Sequence, residues 1–128
     1  MTFFSRDYGY QAYRILQLAF VVIPIVAGLD KFFYFLADWP KYLAPQATQT
    51  LQGHERTFMA LVGIIEIIAG IGVLLKPRIF SYIVALWLLL IIVNLILTGQ
   101  YYDIAARDLG LMLGALALGR LSHKYEIE

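Results

Sequence analysis

The hydrophobic and polar positions of this chain form long blocks. Four apolar runs, separated by polar or turn-forming residues, are each close to the roughly 20 residues that a helix needs to cross the hydrocarbon core of a bilayer. The runs are Ala12–Phe35, Thr57–Leu75, Ile79–Leu97 and Ile104–Leu121. The last two connections are very short, and short links place consecutive spans antiparallel. The pattern predicts an all-α fold: one integral membrane domain over residues 1–128, built as an antiparallel up-down four-helix bundle.

The connection between the first two runs, residues 37–56, is longer and differs in character. It contains Trp39, Pro40 and Pro45, so we expect it to lie along the membrane surface, with a short helix after Pro45. The lysines and arginines near the span ends favour an orientation with both termini in the cytoplasm. In that orientation the cytoplasmic side carries Arg6, Arg14, Lys76, Arg78, Arg120 and Lys124, and the outer side carries Lys31, Lys41, Arg56 and Arg107.

Composition narrows the class of protein and of chemistry. Hydrophobic residues make up 61% of the chain and charged residues only 15%, too few to cover a soluble domain. The net charge of +1, with no basic cluster, gives no sign of a nucleic-acid partner. The chain has no cysteine for disulfides or thiolate metal sites. It also lacks a phosphate-binding loop, metal-ligand spacing and a nucleophile elbow, so we assign no catalytic residue, no metal ligand and no enzyme activity of the chain on its own.

Glu66 is the only charged residue in the second run, Thr57–Leu75. A carboxylate in mid-span costs about 2.5 kcal/mol or more in lipid unless it is protonated or paired, so it is expected to face a partner or a cavity. At about 100° per residue it shares a face with small and apolar residues, two of them glycines that would let another helix approach. That face reads Met59, Gly63, Glu66, Gly70 and Val73.

The predicted topology brings further polar residues towards Glu66. Residues near the outer ends of the other three spans are expected to join it in one polar cluster with nearly balanced charge, in which Lys31 or Arg107 contacts Glu66. The members are Asp30, Lys31, Glu66, Asn94, Arg107 and Asp108. Two interpretations stay open. The cluster either fixes the bundle through paired charges, or it is a ligand-binding or proton-handling site.

Three stretches resemble the DoxX-like family of small four-helix bacterial membrane proteins. They are Ala27-Gly28-Leu29-Asp30-Lys31-Phe32, Gly63-Ile64-Ile65-Glu66 continuing to Gly72, and Arg107-Asp108-Leu109-Gly110-Leu111. The resemblance implies a multi-pass protein of the bacterial inner membrane that is linked to redox systems, with function at the positions of Lys31, Glu66, Arg107 and Asp108. Unlike the relatives that handle thiols, this chain has no cysteine.

Three functions follow, in order of preference. The first is a non-catalytic membrane subunit or anchor of a redox-associated assembly, with other membrane subunits or further copies of the chain as partners and no intrinsic cofactor. Any quinone would then come through a partner. The second is a small proton-coupled or solute carrier that acts as an oligomer. The third is a quinone-binding oxidoreductase subunit.

Overall fold

The computed structural model describes residues 7–126, which form helices and no strand. The predicted all-α class is confirmed for these residues, whereas Arg6 lies outside them. The elements in chain order are α1 (Tyr8–Phe33), a 3₁₀ helix (Trp39–Tyr42), α2 (Pro45–Leu51), α3 (Glu55–Leu75), α4 (Pro77–Thr98) and α5 (Tyr102–Tyr125).

Three of the long helices, α1, α3 and α4, are long and apolar enough to cross a membrane. Many of their large apolar side chains are exposed on the outside of the bundle, as expected for a surface that faces lipid. Helix α5 has the length of a span but a more polar composition. Every stretch of 18 residues within it holds at least three charged residues, drawn from Asp103, Arg107, Asp108, Arg120 and Lys124. The chain is a membrane protein in which three helices qualify as spans by length and composition.

The connection after α1 differs slightly from the prediction. Helix α1 ends at Phe33, two residues before the predicted end at Phe35, because Tyr34 adopts a left-handed conformation with φ of 59°. The Tyr34 backbone N–H still donates to the Asp30 carbonyl oxygen at 2.7 Å. The short helix expected after Pro45 is confirmed as α2, which begins at that proline. Proline fits there because the first helical residue needs no hydrogen-bonded N–H.

The four long helices pack as two close pairs. Helix α1 packs mainly on α3, and α4 mainly on α5, while contact between the pairs is less extensive. The approach of α1 to α3 is closest at Gly28 and Gly63. A Cβ atom added to either glycine would lie 2.5 Å from the carbonyl oxygen of the other, so only glycine fits at this crossing.

Candidate functional site

Glu66 lies on the buried face of α3, which is the face that the helical periodicity predicted. Only 8% of the residue is exposed. The other members of the predicted face, Met59, Gly63, Gly70 and Val73, are buried as well. The glycines on either side of Glu66 let the backbone of α1 come close, and this brings the last turn of α1 within reach of the carboxylate.

Lys31 is the residue of α1 that reaches it. The Lys31 Nζ atom lies 2.5 Å from Glu66 Oε1, and the two side chains are only 7% and 10% exposed. Burial of either charge alone would cost several kcal/mol, whereas the pair offsets much of this through its mutual attraction. Lys31 also stands in the last turn of α1, where the helix dipole favours a positive charge. The sequence-based expectation that Lys31 or Arg107 contacts Glu66 is confirmed for Lys31.

A tryptophan from the connection covers the lysine. Lys31 Nζ lies 3.8 Å from the centroid of the Trp39 ring, a cation–π contact that strengthens when water is excluded. Asp30 holds that indole in place: its Oδ2 accepts hydrogen bonds from Trp39 Nε1 at 3.0 Å and from the Leu36 N–H at 2.9 Å. Asp30 Oδ1 accepts from the Phe35 N–H at 2.8 Å. Asp30 therefore positions the chain that closes over the ion pair.

Asn94 fixes the other end of the same connection. Its Oδ1 accepts from the Ala44 N–H at 2.9 Å, and its Nδ2 donates to the Tyr42 carbonyl oxygen at 2.7 Å. The Tyr42 ring also packs edge-on against Tyr101, with 4.8 Å between the ring centroids. The amide of Asn94 thus satisfies two backbone groups of the connection and attaches it to α4.

The expected single cluster of six polar residues does not form as one hydrogen-bonded or ion-paired unit among residues 7–126. Arg107 pairs with its neighbour Asp108, with 3.2 Å between Nη2 and Oδ1, and its side chain is 66% exposed while that of Asp108 is 6% exposed. Neither forms an ion pair with Lys31 or Glu66. The physical reason is that adjacent residues point about 100° apart on a helix, so α5 turns Asp108 inward and Arg107 outward.

A cavity of about 80 Å³ adjoins the carboxylate. Its wall is almost entirely apolar and comes from all four long helices: Phe20, Ile23, Pro24, Ala27, Ile65, Glu66, Ala69, Ile83, Val84, Trp87, Leu88, Ile91 and Leu111. Three of these side chains, Ile23, Ile65 and Ile83, are each close to half exposed. The cavity therefore reaches the lipid-facing surface between α1, α3 and α4.

Besides Glu66, two residues of this wall, Trp87 and Pro24, affect hydrogen bonding near the cavity. The indole N–H of Trp87 is buried and has no hydrogen-bond partner in the described part of the chain. Pro24 lacks the N–H that would bond to the Phe20 carbonyl oxygen in a regular helix, and both residues line the cavity. A buried N–H without an acceptor is destabilising by about 1–3 kcal/mol. The cavity is thus a largely apolar space whose wall includes Glu66 and Trp87, and an apolar space with a few polar residues is the usual character of a small-molecule site.

Sequence reasoning missed the unpartnered N–H of Trp87 and the roles of Asp30 and Trp39. A tryptophan in mid-span, away from the interfacial belts, was the available signal for the cavity. For the segment that covers Lys31, the signal was the Trp39-Pro40 pair shortly after the Asp30-Lys31 pair. Within residues 7–126, no group of three or more His, Asp or Glu side chains could hold a metal ion.

Comparison of the chain with known protein families, with curated proteins and with solved structures gave no match.

Proposed function

We propose that this chain is a non-catalytic membrane subunit of a redox-associated assembly, and that the cavity beside Glu66 holds the head of a quinone used by that assembly. The observation that carries the proposal is the buried Lys31–Glu66 ion pair next to a lipid-accessible apolar cavity with an unpartnered Trp87 N–H. The redox link rests on the resemblance to DoxX-like proteins.

The groups on the cavity wall suit a quinol and quinone pair. The Trp87 N–H can donate to a ring carbonyl, and the Glu66 carboxylate can accept from a ring hydroxyl. The cavity is smaller than the roughly 150 Å³ that encloses a benzene molecule, so the polar edge of the ring would enter and the rest would lie in the opening towards lipid. A membrane-dissolved quinone presents an apolar tail to that opening.

The proposed setting is the bacterial inner membrane, with α5 as a fourth span and both termini in the cytoplasm. The order of contacts supports an antiparallel arrangement of α1 and α3. Gly28 lies against Gly63, and Gly70 lies against Val21 and Ile25.

The partner-facing surface in this proposal is the outer side of α5. It exposes Asp103, Arg107, Gly110 and Ala117, and a Cβ atom added to Gly110 would meet nothing within 4 Å. Charged and small residues are less suited to lipid than the large apolar side chains that α1, α3 and α4 expose, and they favour contact with another helix. That helix belongs to another subunit or to a second copy of the chain.

A proton-coupled carrier is the second candidate, favoured by the same ion pair. A buried carboxylate that alternately pairs with a lysine and binds a proton could couple proton movement to the transport of a solute. The two functions differ in what Glu66→Gln removes. If the protein is a carrier, Glu66→Gln removes proton-driven uptake into vesicles. If it is a quinone-binding subunit, Glu66→Gln lowers the affinity for quinone, and even the wild type shows no uptake.

The test is a titration of purified protein in mild detergent with a short-chain ubiquinone analogue, in its oxidised and in its reduced form, and binding is measured by the quenching of tryptophan fluorescence. The background protein for all titrations carries Trp39→Phe, so that Trp87 is its sole tryptophan. We expect saturable quenching, and Glu66→Gln should weaken binding of the reduced, quinol form about tenfold, the equivalent of one charge-assisted hydrogen bond.

Glu55→Gln is the matched control, because Glu55 stands at the start of α3 and does not line the cavity. It should bind as tightly as the background protein. Quenching that never saturates, or that is the same in Glu66→Gln, contradicts the proposed site.

A further inference from the structure

A second pocket lies at the opposite end of α3 from the connection that covers Lys31. It has a volume of about 140 Å³ and a mostly polar wall. The start of α1, the end of α3, the start of α4 and the end of α5 form it through Tyr10, Tyr13, Arg14, Gln17, Leu74, Leu75, Pro77, Tyr125 and Glu126. Because the ends of all three apolar spans meet here, the pocket lies at the boundary between lipid and water.

Tyr13 brings a hydroxyl group to this pocket. Tyr13 is 4% exposed, its ring packs against Tyr10 and Tyr125 with centroids 6.0 and 5.8 Å away, and its hydroxyl forms no hydrogen bond with any residue from 7 to 126. Because Tyr13 lines the pocket, its hydroxyl can donate to a ligand atom there.

Arg14 supplies a positive charge beside it. The Arg14 Nη1 donates to Gln17 Oε1 at 2.8 Å, and the guanidinium has no ion pair with any carboxylate of the described residues. The buried Gln17 amide keeps this orientation because its Nε2 lies 3.3 Å from the carbonyl oxygens of Val73 and Leu74. A guanidinium held by a neutral amide keeps donors available for an oxyanion, and arginine is well suited to bidentate binding of phosphate.

Glu126 adds a negative charge to the pocket wall. Glu126 Oε1 accepts the Arg78 backbone N–H at 2.9 Å, an arrangement that fixes the carboxylate at the start of α4. The neighbouring Tyr125 hydroxyl donates to Asp7 Oδ1 at 2.9 Å. The pocket therefore offers the Arg14 guanidinium to an anion and the Glu126 carboxylate to a cation.

We propose that this pocket binds the zwitterionic phosphoethanolamine headgroup of a membrane phospholipid, with the phosphate at Arg14 and the Tyr13 hydroxyl and the ammonium at Glu126. The volume would hold roughly ten water molecules by the usual measure, which suits a phosphate joined to a short amine. The position at the end of the apolar spans lets the acyl chains of the same lipid lie along the exposed apolar side chains Ile15 and Leu18 of α1.

The test measures lipid binding to the full chain in detergent by native mass spectrometry, with phosphatidylethanolamine, phosphatidylglycerol and inorganic phosphate as separate probes. We expect one tightly bound phosphatidylethanolamine per chain. Tyr13→Phe, which removes only the hydroxyl, and Arg14→Gln should each weaken its retention about tenfold. Glu126→Gln should abolish the preference for phosphatidylethanolamine over phosphatidylglycerol.

Arg120→Gln is the matched control: it removes a positive charge from the same end of α5 without altering the pocket wall, and it should retain the lipid as the wild type does. Equal loss in Arg120→Gln would mean that binding follows general charge and would overturn the proposal. Binding of inorganic phosphate alone, or unchanged retention in both Tyr13→Phe and Arg14→Gln, would overturn it as well.

Discussion

Lys31 Nζ lies 2.5 Å from Glu66 Oε1 inside the bundle, and the Trp39 ring covers the ammonium at 3.8 Å from its centroid. Lys31 stands in the last turn of α1 and Glu66 in the middle of α3. The contact therefore links α1 to α3 beneath the Trp39 ring and beside the cavity.

Loss of either partner should have unequal effects. Lys31→Met leaves a buried carboxylate without its counter-charge, which is expected to lower the free energy of unfolding by about 3–5 kcal/mol. Glu66→Gln should cost less, because the amide still accepts a hydrogen bond from the lysine. The double variant should recover much of the loss seen in Lys31→Met. Thermal unfolding in one detergent measures all three, and Arg107→Gln, in an exposed pair, should change stability by at most about 1 kcal/mol. Equal melting temperatures for Lys31→Met and the wild type would show that the pair has no energetic role.

The crossing of α1 and α3 should tolerate no side chain at its closest point. Gly28→Ala would place a Cβ atom 2.5 Å from the Gly63 carbonyl oxygen, and we expect a loss of about 1–3 kcal/mol because backbone must move. Gly110→Ala is the control on α5, where the added atom meets nothing within 4 Å and helix propensity should raise stability by up to about 1 kcal/mol. A Gly28→Ala protein as stable as Gly110→Ala would mean that the helices are further apart than described.

Asp30 should control the order of the segment that covers Lys31. Asp30→Asn replaces one acceptor oxygen by a donor facing the Trp39 and backbone N–H groups, so we expect faster amide hydrogen exchange at Phe35 and Leu36 by about tenfold or more. Asp38→Asn is the matched control in the same connection, because the Asp38 side chain makes no capping hydrogen bond. Unchanged exchange in Asp30→Asn would remove its proposed positioning role.

The proposed topology with α5 as a fourth span predicts the sidedness of exposed residues. Single cysteines introduced into this cysteine-free chain at Gln49 and Gln100 should react with an impermeant thiol reagent added to intact cells. Cysteines at Lys76 and Lys124 should react only after the membrane is opened. Labelling of positions 100 and 124 from the same side would show that α5 does not cross, and labelling of 76 rather than 49 from outside would reverse the orientation.

The part of the fold that sequence predicted best is α3. Its buried face followed from the helical period of 3.6 residues, because Glu66, the only charged residue of the run, is in register with Gly63 and Gly70. The same period was insufficient for α5, where small and charged residues occur on more than one side. Arg107 and Asp108 are adjacent, so a rule based on span ends placed both in one cluster, whereas on the helix Arg107 points outward and Asp108 inward.

The groups of the candidate site that sequence could not supply depend on irregular backbone conformation or on contacts between separate elements. The acceptor role of Asp30 arises from a left-handed Tyr34, and the two hydrogen bonds of Asn94 arise from how the connection folds back onto α4. Neither has a periodic signal. The N–H of Trp87 lacks a partner because of how the four long helices pack around it, and no local sequence pattern encodes that packing.

The most direct test of the central claim is native mass spectrometry of the chain purified from its own membrane in mild detergent, with extraction and identification of the bound small molecule. We predict one quinone per chain in the wild type and its loss in Trp87→Phe, which keeps an aromatic ring on the cavity wall and removes the N–H. A wild-type protein free of quinone, or equal quinone content in Trp87→Phe, would contradict the assignment of the Glu66 cavity as a quinone site.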